Sequence, residues 1–108
     1  MASKQIFKVA FVNQNQVYEI YAKRVYQGDL YGFVVVEDFV FGEASSIVVD
    51  PSEEKLKSEF ENVKRTFIPM HEIIRIDMVE KKGTAKILPL KEVGGSGRGP
   101  SFYSPEKK

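Results

Sequence analysis

The chain has 108 residues, 43% of them hydrophobic, 12% aromatic and 29% charged, and a formal net charge of +1. That length holds one core, and that composition is of an ordinary globular domain, not a fibrous or disordered chain. The chain has no cysteine, which excludes disulfide scaffolds, thiolate metal sites and cysteine nucleophiles.

Residues 6–12 alternate, with Phe7, Val9 and Phe11 on one face, and residues 17–26 continue in β-branched and aromatic residues, so both are predicted strands. Asn13-Gln14-Asn15-Gln16 between them is turn-compatible, which makes the pair an antiparallel hairpin. After a turn at Gln27-Gly28-Asp29, residues 30–37 are nearly continuously apolar. Val34-Val35-Val36 within them reads as a central strand covered on both faces. A bulge or bend at Glu37-Asp38 is expected to let both acids reach water, followed by the apolar Phe39-Val40-Phe41, a loop over 42–46 and a short strand at Ile47-Val48-Val49.

Asp50-Pro51-Ser52-Glu53 has the form of a helix start, with Asp50 as N-cap, Pro51 in the first turn and Glu53 as capping-box partner. Leu56, Phe60 and Val63 then fall on one stripe, predicting an amphipathic helix over about 51–64. Its other faces carry the i, i+4 charge pairs Lys55–Glu59, Lys57–Glu61 and Glu61–Arg65. Thr66-Phe67-Ile68 reads as a short strand ended by Pro69. Residues 73–80 alternate Ile74, Ile76 and Met78 on a side expected to be buried against Arg75 and Asp77 on the wet side. Lys81-Lys82-Gly83, with Gly83 able to take a positive φ, is expected to close a hairpin into residues 84–88. From Gly94 the composition is Gly-rich, predicting a flexible tail over 94–108 after a single domain over 1–93.

The expected fold class is therefore α+β: an antiparallel sheet of five or six strands, open or curled toward a small barrel, with one helix. The polar start and the absence of any run of about 18 apolar residues point to a cytoplasmic protein that does not span a membrane. Charge is uneven: eight acids outnumber Lys23 and Arg24 over residues 19–54, whereas eight bases outnumber five acids over 55–88.

Four segments in order resemble the bacterial domain of unknown function 1820 family. They are Asp29-Leu30-Tyr31-Gly32-Phe33-Val34, Asp50-Pro51-Ser52-Glu53-Glu54-Lys55-Leu56, Ile68-Pro69-Met70-His71 and Ile74-Arg75-Ile76-Asp77. The likeness covers residues 6–87 and implies a bacterial cytosolic protein, with no activity to carry over.

No catalytic apparatus, metal site or cofactor motif can be written on the sequence. His71 is the only histidine, and a turn or core hydrogen-bonding role is favoured for it because nucleophilic and metal sites need several convergent groups. Glu37-Asp38 and Glu53-Glu54 read as structural carboxylates, and the glycines fit no phosphate-binding spacing. Residues 1–88 carry twelve basic and thirteen acidic side chains. That balance argues against a dedicated RNA binder despite Tyr18, Tyr21, Tyr26 and Tyr31 near Lys23 and Arg24. The leading expectation is a non-catalytic protein-interaction or regulatory module, with a protein partner or a homodimer and an apolar surplus around Phe39-Val40-Phe41. A small RNA-binding β domain comes second and an enzyme using His71 third. The candidate binding residues are His71 and Met70 in one turn, Asp29 and Tyr31 in another, and Lys23 and Arg24, because loops on a rigid scaffold present binding groups.

Overall fold

The computed structural model describes residues 5–42 and 50–90. The expectations for the strand at 47–49, most of the 42–46 loop and the tail from 94 lie outside the described residues. Among those described, the elements run β1 (Ile6–Asn13), β2 (Gln16–Tyr26), β3 (Phe33–Phe39), α1 (Pro51–Glu59), β4 (Arg65–Pro69), one 3-10 turn (Met70–Glu72), β5 (Ile73–Val79) and β6 (Lys86–Pro89). They form one antiparallel sheet in the order β4-β3-β2-β1-β5, with β6 also paired to β2.

The first hairpin forms as its turn residues dictate. Gln14 and Asn15 both take positive φ, 52° and 65°, so the two-residue loop has the handedness that matches strand twist. Asn13 then pairs with Gln16, and the ladder runs to Phe7 opposite Ala22. β2 is the longest strand, and its far edge is divided. Residues Gln16 to Glu19 pair with β6, and Ala22 to Tyr26 pair with β3. Residues 81–83 therefore do not close a hairpin onto β5, because the final strand crosses to β2. Gly83 is needed for proximity and not for a positive φ: a Cβ there would stand 2.6 Å from the Tyr21 hydroxyl.

The sheet curls without closing into a barrel. Alternating antiparallel pairs across the five-strand order give β4 and β5 the same direction, and only Met70–Glu72 joins them. A ladder between them would be parallel, and parallel neighbours need a crossover of a dozen or more residues. The seam stays open, and a groove of about 470 Å³ between β4 and the β1–β2 turn is lined by Phe11, Asn13, Asn15, Phe60, Ile68 and Glu72.

Inside the curl, Val9, Phe11, Tyr18, Ile20, Ala22, Val36, Ile68 and Ala85 pack against Leu56 of α1. The Asp50 carboxylate caps the helix, accepting from the backbone N–H of Ser52 at 2.9 Å and of Glu53 at 3.4 Å. Glu53 does not complete a capping box. Its carboxylate accepts instead from the N–H groups of Gly42 and Ala85, tying the helix to the chain before it and to the approach of β6. The helix stops at Glu59, short of residue 64, where Phe60 turns out of the helix to pack against Phe39 with ring centres 4.8 Å apart and tilted. The expected i, i+4 pairs give way to longer-range contacts: Lys57 donates to the Gly42 carbonyl, Glu59 accepts from Tyr18, and Arg65 binds Glu37.

Two further expectations change at the sheet's margins. The third strand begins at Phe33, since residues 30–33 make a turn, with Phe33 N–H donating to the Leu30 carbonyl and Gly32 at φ 81°. The bend at Glu37-Asp38 forms, with Asp38 at φ 57°, and it turns Phe39 onto the core side beside Val36. Asp38 reaches solvent while Glu37 stays buried.

Candidate functional site

Three neighbouring strands carry matching two-residue steps. Cross-strand register sets Arg24, Glu37 and Arg65 on one rung and Tyr26, Val35 and Phe67 on the rung two residues on. Directly opposed residues in adjacent strands share a face, so these side chains stand together on the surface that faces away from α1. Val34 and Ile68, one residue out of phase, pack on the core.

Glu37 organises the first rung. Its Oε2 accepts from the Tyr26 hydroxyl and from Arg65 Nε, both at 2.6 Å. Its Oε1 faces Arg24 Nε at 3.5 Å, and the Arg24 guanidinium lies 5.2 Å from the centre of the Tyr26 ring, within cation–π range. The hydrogen bonds from Tyr26 and then Arg65 hold the Glu37 carboxyl below its ordinary range against the opposing effect of burial. The same bond to Glu37 pushes the Tyr26 phenol up. At neutral pH, then, Glu37 is ionised and Tyr26 is protonated, and the carboxylate orients Tyr26 and Arg65 through its Oε2.

The second rung is open. Tyr26 and Phe67 are more than a third exposed, whereas Val35 between them is covered. Beyond it lies the β2–β3 turn, where Tyr31 is 96% exposed and Leu30 about half exposed. The Met70 N–H donates to the Gly32 carbonyl at 2.8 Å, and Met70 is also exposed. Five large apolar side chains thus gather around one end of β2, β3 and β4, with two guanidinium groups and one carboxylate on the adjoining rung.

The candidate residues divide accordingly. The Gly32–Met70 backbone bond joins the turn that carries Asp29 and Tyr31 to the turn that carries Met70 and His71, and Arg24 stands over Tyr26 on the adjoining strand face. Lys23, the neighbour of Arg24 in β2, is exposed but one step out of phase with this face. His71 projects into solvent, its Nε2 3.4 Å from the Glu72 carboxylate. Among the described residues no three His, Cys, Asp or Glu side chains are grouped to hold a metal ion. The tyrosines separate too, with Tyr18 and Tyr21 buried and Tyr26 and Tyr31 exposed. Burial raises the Tyr18 phenol above its ordinary value, with Glu59 adding to the effect.

The apolar surplus at Phe39-Val40-Phe41 is not the exposed surface: Phe39 and Phe41 pack against the core with Phe60. They line a groove of about 640 Å³ together with Asp38, Lys57 and Lys64. Leu30, Arg65 and Phe67 belong to the surface and were not among the candidates. Their signal in the sequence is the series Arg-x-Tyr, Val-x-Glu and Arg-x-Phe on successive sheet neighbours, which becomes legible only once the strand register is known.

Among the described residues, the class that this fold defines is a small α+β domain, one curled and open antiparallel sheet with a single helix packed into it. Residues 5–96 match the model of the family described as Domain of unknown function (DUF1820), and the chain belongs to that family. No curated protein matches the chain, and no solved structure does. Among the described residues no helix is long and apolar enough to cross a membrane.

Proposed function

We propose that this domain is a non-catalytic protein-docking module whose contact surface is the outer face of β2, β3 and β4 with the adjoining turns. The supporting observation is the gathering of Tyr26, Leu30, Tyr31, Phe67 and Met70, all exposed, beside an ion-paired Arg24–Glu37–Arg65 rung. Aromatic residues, Met and Arg are the types enriched where proteins bury surface against each other. Two guanidinium groups share one carboxylate, which leaves positive charge for a partner. The matching partner segment carries apolar anchors and a carboxylate. Because Glu37 already fixes Tyr26 and both arginines, little side-chain freedom is lost on contact.

A second reading has an observation of its own. Tyr26 and Phe67 on an open sheet face beside two arginines also suit stacked bases and phosphates of single-stranded RNA. Capture from bacterial lysate, comparing the wild-type chain with a Tyr31→Ala/Phe67→Ala variant and repeating both with nuclease, separates the two. The docking reading expects a stoichiometric protein retained by the wild type, resistant to nuclease and lost with the variant. Enrichment of RNA that salt removes would replace it with the second reading.

A further inference from the structure

β5 ends the sheet, and its outer edge has no strand beside it among the described residues. Its seven residues, Ile73-Ile74-Arg75-Ile76-Asp77-Met78-Val79, place a base and an acid symmetrically about Ile76. The alternation predicted burial of Ile76 and Met78, yet at this edge they are 37% and 60% exposed. Their β1 partners, Val9 and Phe7, cover them from one side only.

We infer that β5 is a homodimerisation edge: two copies pair their β5 strands antiparallel about a two-fold axis through Ile76, extending the sheet across both molecules. In that register Ile76 faces its own copy, Arg75 faces Asp77 of the second copy, and Asp77 faces the second copy's Arg75. Met78 lies opposite Ile74, the residue at which β5 bulges against β1, so the regular paired segment is residues 74–78. Every charge meets its opposite and every apolar residue meets another, which cross-strand pairing rewards and like-charge opposition would not. A two-fold axis requires this self-complementarity, and the unpaired N–H and C=O groups of an edge strand supply the hydrogen bonds. Within a single copy, Arg75 and Asp77 already hold each other, Nε to Oδ2 at 3.1 Å. Their side chains therefore share one face of β5, the face on which the second copy's pair would meet them. This surface is distinct from the docking face, since β4 and β5 lie at opposite ends of the sheet order.

The test is solution mass by sedimentation on the full chain at low salt, over a wide concentration range. The wild type is expected to move from 12.3 kDa toward twice that value as concentration rises. Arg75→Asp sets acids opposite acids, and Asp77→Arg sets bases opposite bases, so each variant alone is expected to need at least about tenfold more protein to associate. An equimolar mixture restores complementarity and should associate like the wild type. The chain has no cysteine, so a register test independent of these charge variants is available. In an Ile76→Cys variant the two thiols oppose each other with Cα atoms about 4.5–5.5 Å apart, within disulfide reach. Cysteines at position 80 would be roughly 27 Å apart at the strand rise. Oxidation should cross-link the position 76 variant and not the Glu80→Cys variant. A wild type that stays monomeric, charge variants that associate as it does, a mixture that fails to recover, or equal cross-linking at both positions would overturn the proposal.

Discussion

The two halves of β2 both carry tyrosine, and the tyrosines meet opposite fates. Val17 through Ala22 are six consecutive buried residues, with β1 on one side and α1 above the core face, and Gln16–Glu19 are flanked on the other side by β6. Beyond Ala22 the β1 ladder ends and only β3 flanks the strand. Tyr18 and Tyr21 are consequently core residues, while Tyr26 shows its ring to solvent and its hydroxyl to Glu37. Neighbours decide burial here, since the residue type is the same. The inner half carries stability, and the outer half presents a surface ordered by one carboxylate.

Predictions that break this contrast run from the inner half outward. The largest effect is expected from Leu56→Ala, which opens a cavity over the buried half and should cost about 2–5 kcal/mol in denaturant unfolding. Removing the acceptor of the outer half with Glu37→Ala strands Tyr26 and both arginines, and should lower the thermal midpoint while leaving the inner half's amide protection in place. The pH dependence sharpens the point. Because the folded Glu37 carboxyl is held low by Tyr26 and Arg65, its stabilisation is complete above the unfolded carboxylate value of about 4.3. It is lost as pH falls through the lower folded value. Unfolding curves of wild type and Glu37→Gln should therefore differ at neutral pH and converge in acid, and a constant gap would show that Glu37 does not act through its charge. Asp50→Ala, which removes the helix cap, should cost about 1 kcal/mol. The smallest effect falls on Tyr31→Ala, within about 0.5 kcal/mol of wild type, although docking is expected to be lost.

Local chemistry made much of this fold legible in advance. The Gln14-Asn15 turn, the Asp50 cap, the doubly covered Val35-Val36 and the left-handed step at Asp38 each follow from residues in sequence contact. What escaped was set by distant partners. Nothing near Lys86 announces that it will pair with Glu19 of β2 and not with β5, and nothing near Ile76 announces that its strand will lie at an edge. The site was half visible for the same reason. Tyr31, Met70 and Arg24 are recognisable as loop and surface groups, whereas Arg65 and Phe67 join them only because β4 pairs with β3 in one register.

The account rests on the outer face of β2, β3 and β4 being where a partner sits. Photo-cross-linking tests this most directly, with p-benzoylphenylalanine installed at position 31 and, in a second protein, at position 55 on the exposed side of α1, away from both the docking face and the β5 edge. Cross-links to one stoichiometric protein from position 31 and none from position 55 is the result expected. Equal cross-linking from both positions, or from position 55 alone, would contradict the assignment of that face.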